Sequence, residues 1–175
     1  ERLVGTEWLK AAAAIYARQS PPTDSRLLHY GADFPDFLDA FEHAREMPYL
    51  GDVARLDLFW TQVHCAKDEP DIDPSLFANL SQNDLARSRL TPKAASRWAW
   101  FPDNPAYTIW CFNREERDMP DELNWHGEGA LLTRKQAKVC WEAASAADCT
   151  FLDACAADLP LELAAEKALE VQPDL

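Results

Sequence analysis

The chain has 175 residues, of which 47% are hydrophobic and 11% aromatic, so it can bury enough apolar surface to fold as one compact domain or two small ones. Its formal net charge of −13 opposes the phosphate backbone that supplies most non-specific affinity for nucleic acids, which disfavours a nucleic-acid role. Five cysteines without a CxxC pair indicate reduced thiols in a cytoplasmic setting, and no apolar run is long enough to span a bilayer.

Three helices are predicted in the first part of the chain. Apolar residues recur at helical spacing over residues 3–16, and a Ser-Pro-Pro run then ends that helix. A short second helix is predicted over 34–41, with a proline in its first turn, where the missing N–H costs nothing. The third runs over 48–66 with one apolar seam at steps of four and three residues. We therefore predict a helical module over residues 1–66.

The second part of the chain contains short aromatic and branched runs in place of long helical patterns. The charged, proline-rich segment 67–80 predicts a linker. Capping signals at Ser81 and Ser145 indicate helices, and Pro160 starts a final one. The expected fold is α+β, with an N-terminal helical module followed by a small antiparallel sheet with two C-terminal helices, the strand-rich module covering 81–175. Four runs rich in aromatic and branched residues predict its strands: 94–101, 106–112, 129–133 and 136–142.

Few side chains suggest catalysis. His29, His43, His64 and Cys65 are the imidazole and thiol groups of the first module, but a metal site needs three or four converging ligands. The chain has no GxSxG, P-loop, GxGxxG or HExxH motif. A free-standing redox enzyme is an alternative through Cys140, which has a lysine two residues away. We expect no catalytic residue, metal or cofactor on this chain.

The loop over residues 29–35 (HYGADFP) holds more aromatic, Gly, Asp and Pro residues than a connector needs. One interpretation is a tight turn in which Asp33 caps the second helix. The other is a rigid surface for a protein partner, since aromatic residues on an ordered loop make good interface anchors. The residues assigned to this partner-binding surface are Tyr30, Gly31, Phe34, Pro35 and Tyr49.

The predicted strand over 136–142 alternates, with Lys138, Cys140 and Glu142 on one face and Ala137, Val139 and Trp141 on the other. A lysine on an outer strand suits a sheet edge that pairs with a chosen guest. An ordinary hairpin strand is the alternative, and the run over 106–112 is then the next candidate edge. The residues assigned to peptide binding are Ala137, Lys138, Val139, Cys140 and Trp141.

Two stretches resemble a known bacterial family. Residues 27–38 (LLHYGADFPDFL) and 47–57 (MPYLGDVARLD) are similar to the signature of the peptide-modification chaperones of the HvfC/BufC type, formerly classed as a DNA-binding domain. MbnC, a subunit of methanobactin biosynthesis, is a more distant relative. The later chain follows the family more loosely, through a strand over 107–114 and a hairpin over 130–139. Family members usually carry more helix before the position of Glu1, and we expect upstream residues.

The resemblance implies a heterodimer with an iron-dependent TIM-barrel oxidase similar to MbnB or HvfB, in which the iron belongs to the partner. That enzyme would convert cysteines of a ribosomal precursor peptide to oxazolone and thioamide groups, while this chain binds the leader part of the peptide. A DNA-binding transcription regulator is the alternative. It would need basic residues on a recognition helix, where 160–170 offers only Lys167.

Overall fold

The structure, a computed structural model, describes residues 1–172, and the last three residues of the predicted 81–175 module lie outside the described part. Over residues 1–172 the chain forms eight α-helices and a three-stranded antiparallel sheet, which confirms the predicted α+β class and its order of elements. The elements are α1 (Thr6–Gln19), α2 (Phe34–Ala40), α3 (Leu50–Cys65), α4 (Ser75–Ala78), α5 (Gln82–Arg87), β1 (Ser96–Phe101), α6 (Ala106–Arg114), β2 (Glu128–Lys135), β3 (Lys138–Ala144), α7 (Ala146–Ala156) and α8 (Leu161–Val171).

The chain divides into two compact units. The first unit contains residues 1–58 and 104–125, and the second contains 59–103 and the described residues from 126 onward. Each unit contains residues of both the predicted 1–66 module and the predicted 81–175 module. The assignment of partner binding to residues 1–66, of a linker to 67–80 and of peptide binding to 81–175 stays a prediction.

In the first unit the three predicted helices are present as α1, α2 and the start of α3. α1 ends at Gln19 because two prolines follow Ser20. α2 carries Pro35 in its first turn, as expected. A core forms from Leu38, Ala44 and Leu50 with surrounding aromatic side chains from α1 and α2. Aromatic burial of this kind contributes the largest apolar area per residue.

The predicted strand over 106–112 is wrong, because this segment is helix α6. Its aromatic and branched residues favour a strand locally. Among its buried positions, Ile109 and Trp110 lie three and four residues after Ala106, which places all three on one helix face. Packing of that face outweighs the local preference. The segment is therefore no longer a candidate docking edge.

The second unit contains the sheet, with strand order β1-β2-β3 and every pair antiparallel. The predicted strands over 94–101, 129–133 and 136–142 are present with shifted ends. Gln136 and Ala137 were expected in the last strand, and this is wrong, since they form the turn between β2 and β3 with φ of 49° and 64°. Neither is Gly or Asn, so the usual sequence signal of such a turn is missing.

The second unit also contains the end of α3 and helices α4, α5, α7 and α8. The predicted caps are confirmed, since the Ser81 and Ser145 side chains accept hydrogen bonds from the backbone N–H of Asp84 and Asp148. Pro160 precedes α8 as expected. α7 packs on α8 around a buried cluster and also lies against the sheet. The cluster consists of Ala154, Cys155 and Ala164.

Candidate functional site

The loop before α2 is ordered by its own hydrogen bonds. A short 3₁₀ turn covers Leu27–His29, and the Tyr30 hydroxyl then donates to the Ser20 carbonyl oxygen at 2.8 Å. Gly31 has φ of 89°, in the left-handed region that glycine adopts without steric cost. The loop and the end of α1 border a cleft of about 420 Å³. The loop is therefore a defined surface rather than a loose connector.

Asp33 stands at the position before α2, but the interpretation that its side chain caps this helix is wrong. Its carboxylate accepts a hydrogen bond from the Tyr16 hydroxyl instead. That hydrogen bond lowers the pKa of Asp33, while burial and the nearby Asp33 carboxylate raise the pKa of Tyr16. The side chain thus ties the loop to α1. Its partner is distant in sequence, so local cap preferences did not reveal it.

The residues assigned to the partner-binding surface differ in exposure. Pro35 is buried, and the half-buried Phe34 ring packs 5.1 Å from Tyr16, centre to centre, so both contribute to the core. Tyr30 and Gly31 are half-buried in the ordered loop. Tyr49 packs on Trp125 with ring centres 6.0 Å apart. Their interface role stays a prediction.

Sequence reasoning missed the most exposed apolar residues of this loop. Leu27 and Leu28 are 69% and 57% exposed, respectively. They lie beside Tyr30 in the 3₁₀ turn. Two adjacent leucines in a segment without helical or strand periodicity were the available signal, because such residues have no predicted core to enter.

Part of the stretch that resembles the family is explained by packing between α2 and α3. The Arg55 guanidinium contacts Asp36, Asp39 and Asp52 at 2.6, 3.2 and 3.1 Å. At Gly51 a Cβ atom would collide with the Asp39 carboxylate and lie 3.0 Å from the backbone oxygen of Pro35. A side chain there would force the helices apart, so this glycine permits their close approach.

The second predicted surface is the β3 edge, defined here as the side of β3 facing away from β2. Among the described residues, β3 pairs with β2 alone, and β1 pairs with the other side of β2. Lys135 and Lys138 flank the two-residue turn as directly opposed residues. Such a pair exchanges both backbone hydrogen bonds, and the bonding alternates along the strand. Val139 and Ala143 therefore direct their backbone N–H and C=O groups away from β2.

The burial of β3 side chains matches the predicted alternation only in part, since Glu142 and Ala143 are both exposed. Lys138 and Glu142 are exposed, whereas Val139 is buried. Cys140 and Trp141 are half-buried. Ala137 lies in the turn, so among the residues assigned to peptide binding it is the one outside the strand.

Arg134, next to this hairpin, has a structural role that sequence reasoning missed. Its guanidinium donates to the Val63 carbonyl oxygen at 2.9 Å and to the carbonyls of His64 and Ala66. It also pairs with Asp68 at 2.8 Å. The last carbonyls of a helix have no partner within that helix, and a cation there also complements the helix dipole. Arg134 thus holds the end of α3 against β2.

Two thiols of α7 are buried, and the described residues hold no cluster of metal ligands. Burial raises the pKa of the Cys149 thiol to about 11 and also raises the pKa of Cys155. Within residues 1–172, no three His, Cys, Asp or Glu side chains are grouped to hold a metal ion. The same residues include no helix with the length and apolar character to cross a membrane.

No protein-family model matches the sequence, and no curated protein or solved structure matches it either.

Proposed function

We propose that this chain is a non-catalytic subunit that binds the leader part of a precursor peptide and pairs with an iron-dependent TIM-barrel oxidase. The oxidase, similar to MbnB or HvfB, holds the iron and converts peptide cysteines to oxazolone and thioamide groups. The two proteins form a heterodimer in the cytoplasm and make a ribosomal, methanobactin-like peptide product. The resemblance over residues 27–38 and 47–57 supports the pairing with this class of enzyme.

The β3 edge is the observation that supports peptide binding. An extended peptide adds to a sheet edge through main-chain hydrogen bonds that any sequence can make, and its alternate side chains supply specificity. A leader peptide that is disordered when free suits this mode, because it is ordered on binding. The outward backbone groups of Val139 and Ala143 are the pairing positions for such a guest.

The loop around Tyr30 supports the partner-binding part. Leu27 and Leu28 project next to a loop that hydrogen bonds and Gly31 hold in one conformation. Exposed apolar groups on a rigid support make favourable interface anchors, since little conformational entropy is lost when they bind. We assign this surface to the oxidase.

Copurification tests the proposal. The tagged chain is recovered from its native cells, and the bound material is examined by mass spectrometry and iron analysis. We expect a barrel protein with near-stoichiometric iron together with a small cysteine-bearing peptide. A Leu27→Asp/Leu28→Asp variant should lose the barrel protein, while a Leu163→Asp variant, changed at an exposed leucine of α8, should keep it. Recovery of DNA without either partner would contradict the proposal and favour a transcription regulator.

A further inference from the structure

We infer that the peptide strand bound at the β3 edge carries an acidic residue opposite Lys138 and a basic residue opposite Glu142, and that it runs antiparallel to β3. The inference rests on the proposed peptide-binding function. It deepens that function by giving the charge pattern and the direction of the guest.

The two charges lie on one face of β3. Lys138 and Glu142 are both exposed and four residues apart, so their side chains point the same way. At roughly 3.4 Å per residue they are about 14 Å apart along the strand. This distance exceeds the Debye length of about 8 Å at physiological ionic strength, so each charge acts on its own neighbour in the guest.

Neither charge is neutralised by its neighbour on β2. Lys138 lies directly opposite Lys135, and like charges in this position repel each other. Asp71 forms an ion pair with Lys93 and is also close enough to Lys135 for electrostatic attraction, but over residues 1–172 Lys138 forms no ion pair. Glu142 lies opposite Leu131 and likewise forms no ion pair within the described residues. An acidic guest residue at Lys138 relieves the lysine repulsion, and a basic one at Glu142 supplies the missing counter-charge.

The charge pair also fixes the register of the guest. A shift by one residue moves every guest side chain to the opposite face of the sheet. A shift by two residues along the strand keeps the face but removes both charge pairs. The sheet is antiparallel throughout, and antiparallel pairing is slightly more stable per residue than parallel pairing. The guest therefore reads, from its N-terminus, a basic residue, three residues and an acidic residue.

Two synthetic peptides test this inference. Both are about nine residues long, the length of a strand, and share one composition of alternating Thr and Val with a single Lys and a single Glu four positions apart. In one peptide Lys comes first, and in the other Glu comes first. Fluorescence anisotropy with the full chain should give tighter binding of the Lys-first peptide by roughly 2-fold to 30-fold. A Lys138→Glu/Glu142→Lys variant should reverse the preference.

Other binding results would contradict the charge pattern, the direction of the guest or the β3 edge as its docking site. Equal binding of both peptides that is lost in an Ala143→Pro variant overturns the charge pattern and leaves the β3 edge as the docking site. Equal binding that survives Ala143→Pro overturns the edge as well. Tighter binding of the Glu-first peptide overturns the antiparallel direction, and no binding of either peptide overturns both the inference and the proposed docking site.

Discussion

Ala137 has a backbone φ of 64°, in the left-handed region where an L-residue with a Cβ atom is strained. The neighbouring Gln136 is in the same region, so the turn between β2 and β3 contains two such residues in succession. Each costs roughly 1–2 kcal/mol relative to the right-handed conformation. The hairpin persists because β3 pairs with β2 along its whole length.

Replacing Ala137 with Gly should therefore stabilise the chain. The relieved strain exceeds the extra unfolded-state entropy of glycine, which leaves a net gain of roughly 0.5–1 kcal/mol in the free energy of unfolding. Urea unfolding of the variant and the parent measures this gain. The same change at Ala143, an exposed β3 residue without positive φ, should lower the free energy of unfolding. A loss of stability at both positions would contradict the account of the turn.

Asp33 gives the chain a predictable pH dependence. Because the Tyr16 hydrogen bond lowers its folded-state pKa, its stabilising contribution is present above the ordinary value of about 3.9 and is lost as pH falls through the folded-state pKa. An Asp33→Asn variant should be less stable than the parent at pH 6, with a difference that shrinks in acid. Urea unfolding between pH 6 and pH 2.5 measures it. A difference independent of pH would show that the carboxylate charge contributes nothing.

Among the helices and strands, the sequence predicted the features that depend on interactions between residues close in the chain. The capped starts of α5 and α7 follow from a serine and an aspartate three residues apart, Ser81 with Asp84 and Ser145 with Asp148. Helix α6 was not predicted, because its burial against distant residues overrides a local strand preference. Likewise, the partners of Arg134 are about 70 positions away in the chain. Contacts of that separation leave no periodic signal in one sequence.

Arg134 should be important for the stability of the second unit. An Arg134→Met variant fills similar space but leaves the last carbonyls of α3 without their charged donor, at a cost of about 1.5–3 kcal/mol. Arg134→Lys keeps the charge but not the planar fork, so we expect an intermediate loss. Chemical denaturation measures both. Arg26→Met, which removes an exposed ion pair with Asp24, is the matched control and should change stability far less, because solvent screens that pair. Equal effects of Arg134→Met and Arg26→Met would contradict the assigned role.

For the whole molecule, the net charge disfavours nucleic-acid binding. A net charge of −13 repels phosphate and attracts cationic segments over long range. Much of the stretch that resembles the chaperone family holds α2 against α3, through Arg55 and Gly51. We propose that Leu27 and Leu28, at the exposed start of that stretch, contact the oxidase, and that the β3 edge contacts the peptide. The sequence indicated this edge through the alternation of β3, although it did not place the turn at Ala137.

We expect a peptide to dock on the backbone of the β3 edge. Replacing Ala143 with Pro removes an N–H that points toward the guest while leaving the bonds between β2 and β3, whereas Ala143→Val keeps that N–H and suits a strand. The most direct measurement is mass spectrometry of the peptide copurified from native cells with each tagged variant, after circular dichroism has shown that both are folded. The cysteine-bearing peptide should be recovered with the parent and with Ala143→Val, and it should be lost with Ala143→Pro. Full recovery with a folded Ala143→Pro variant would contradict this expectation.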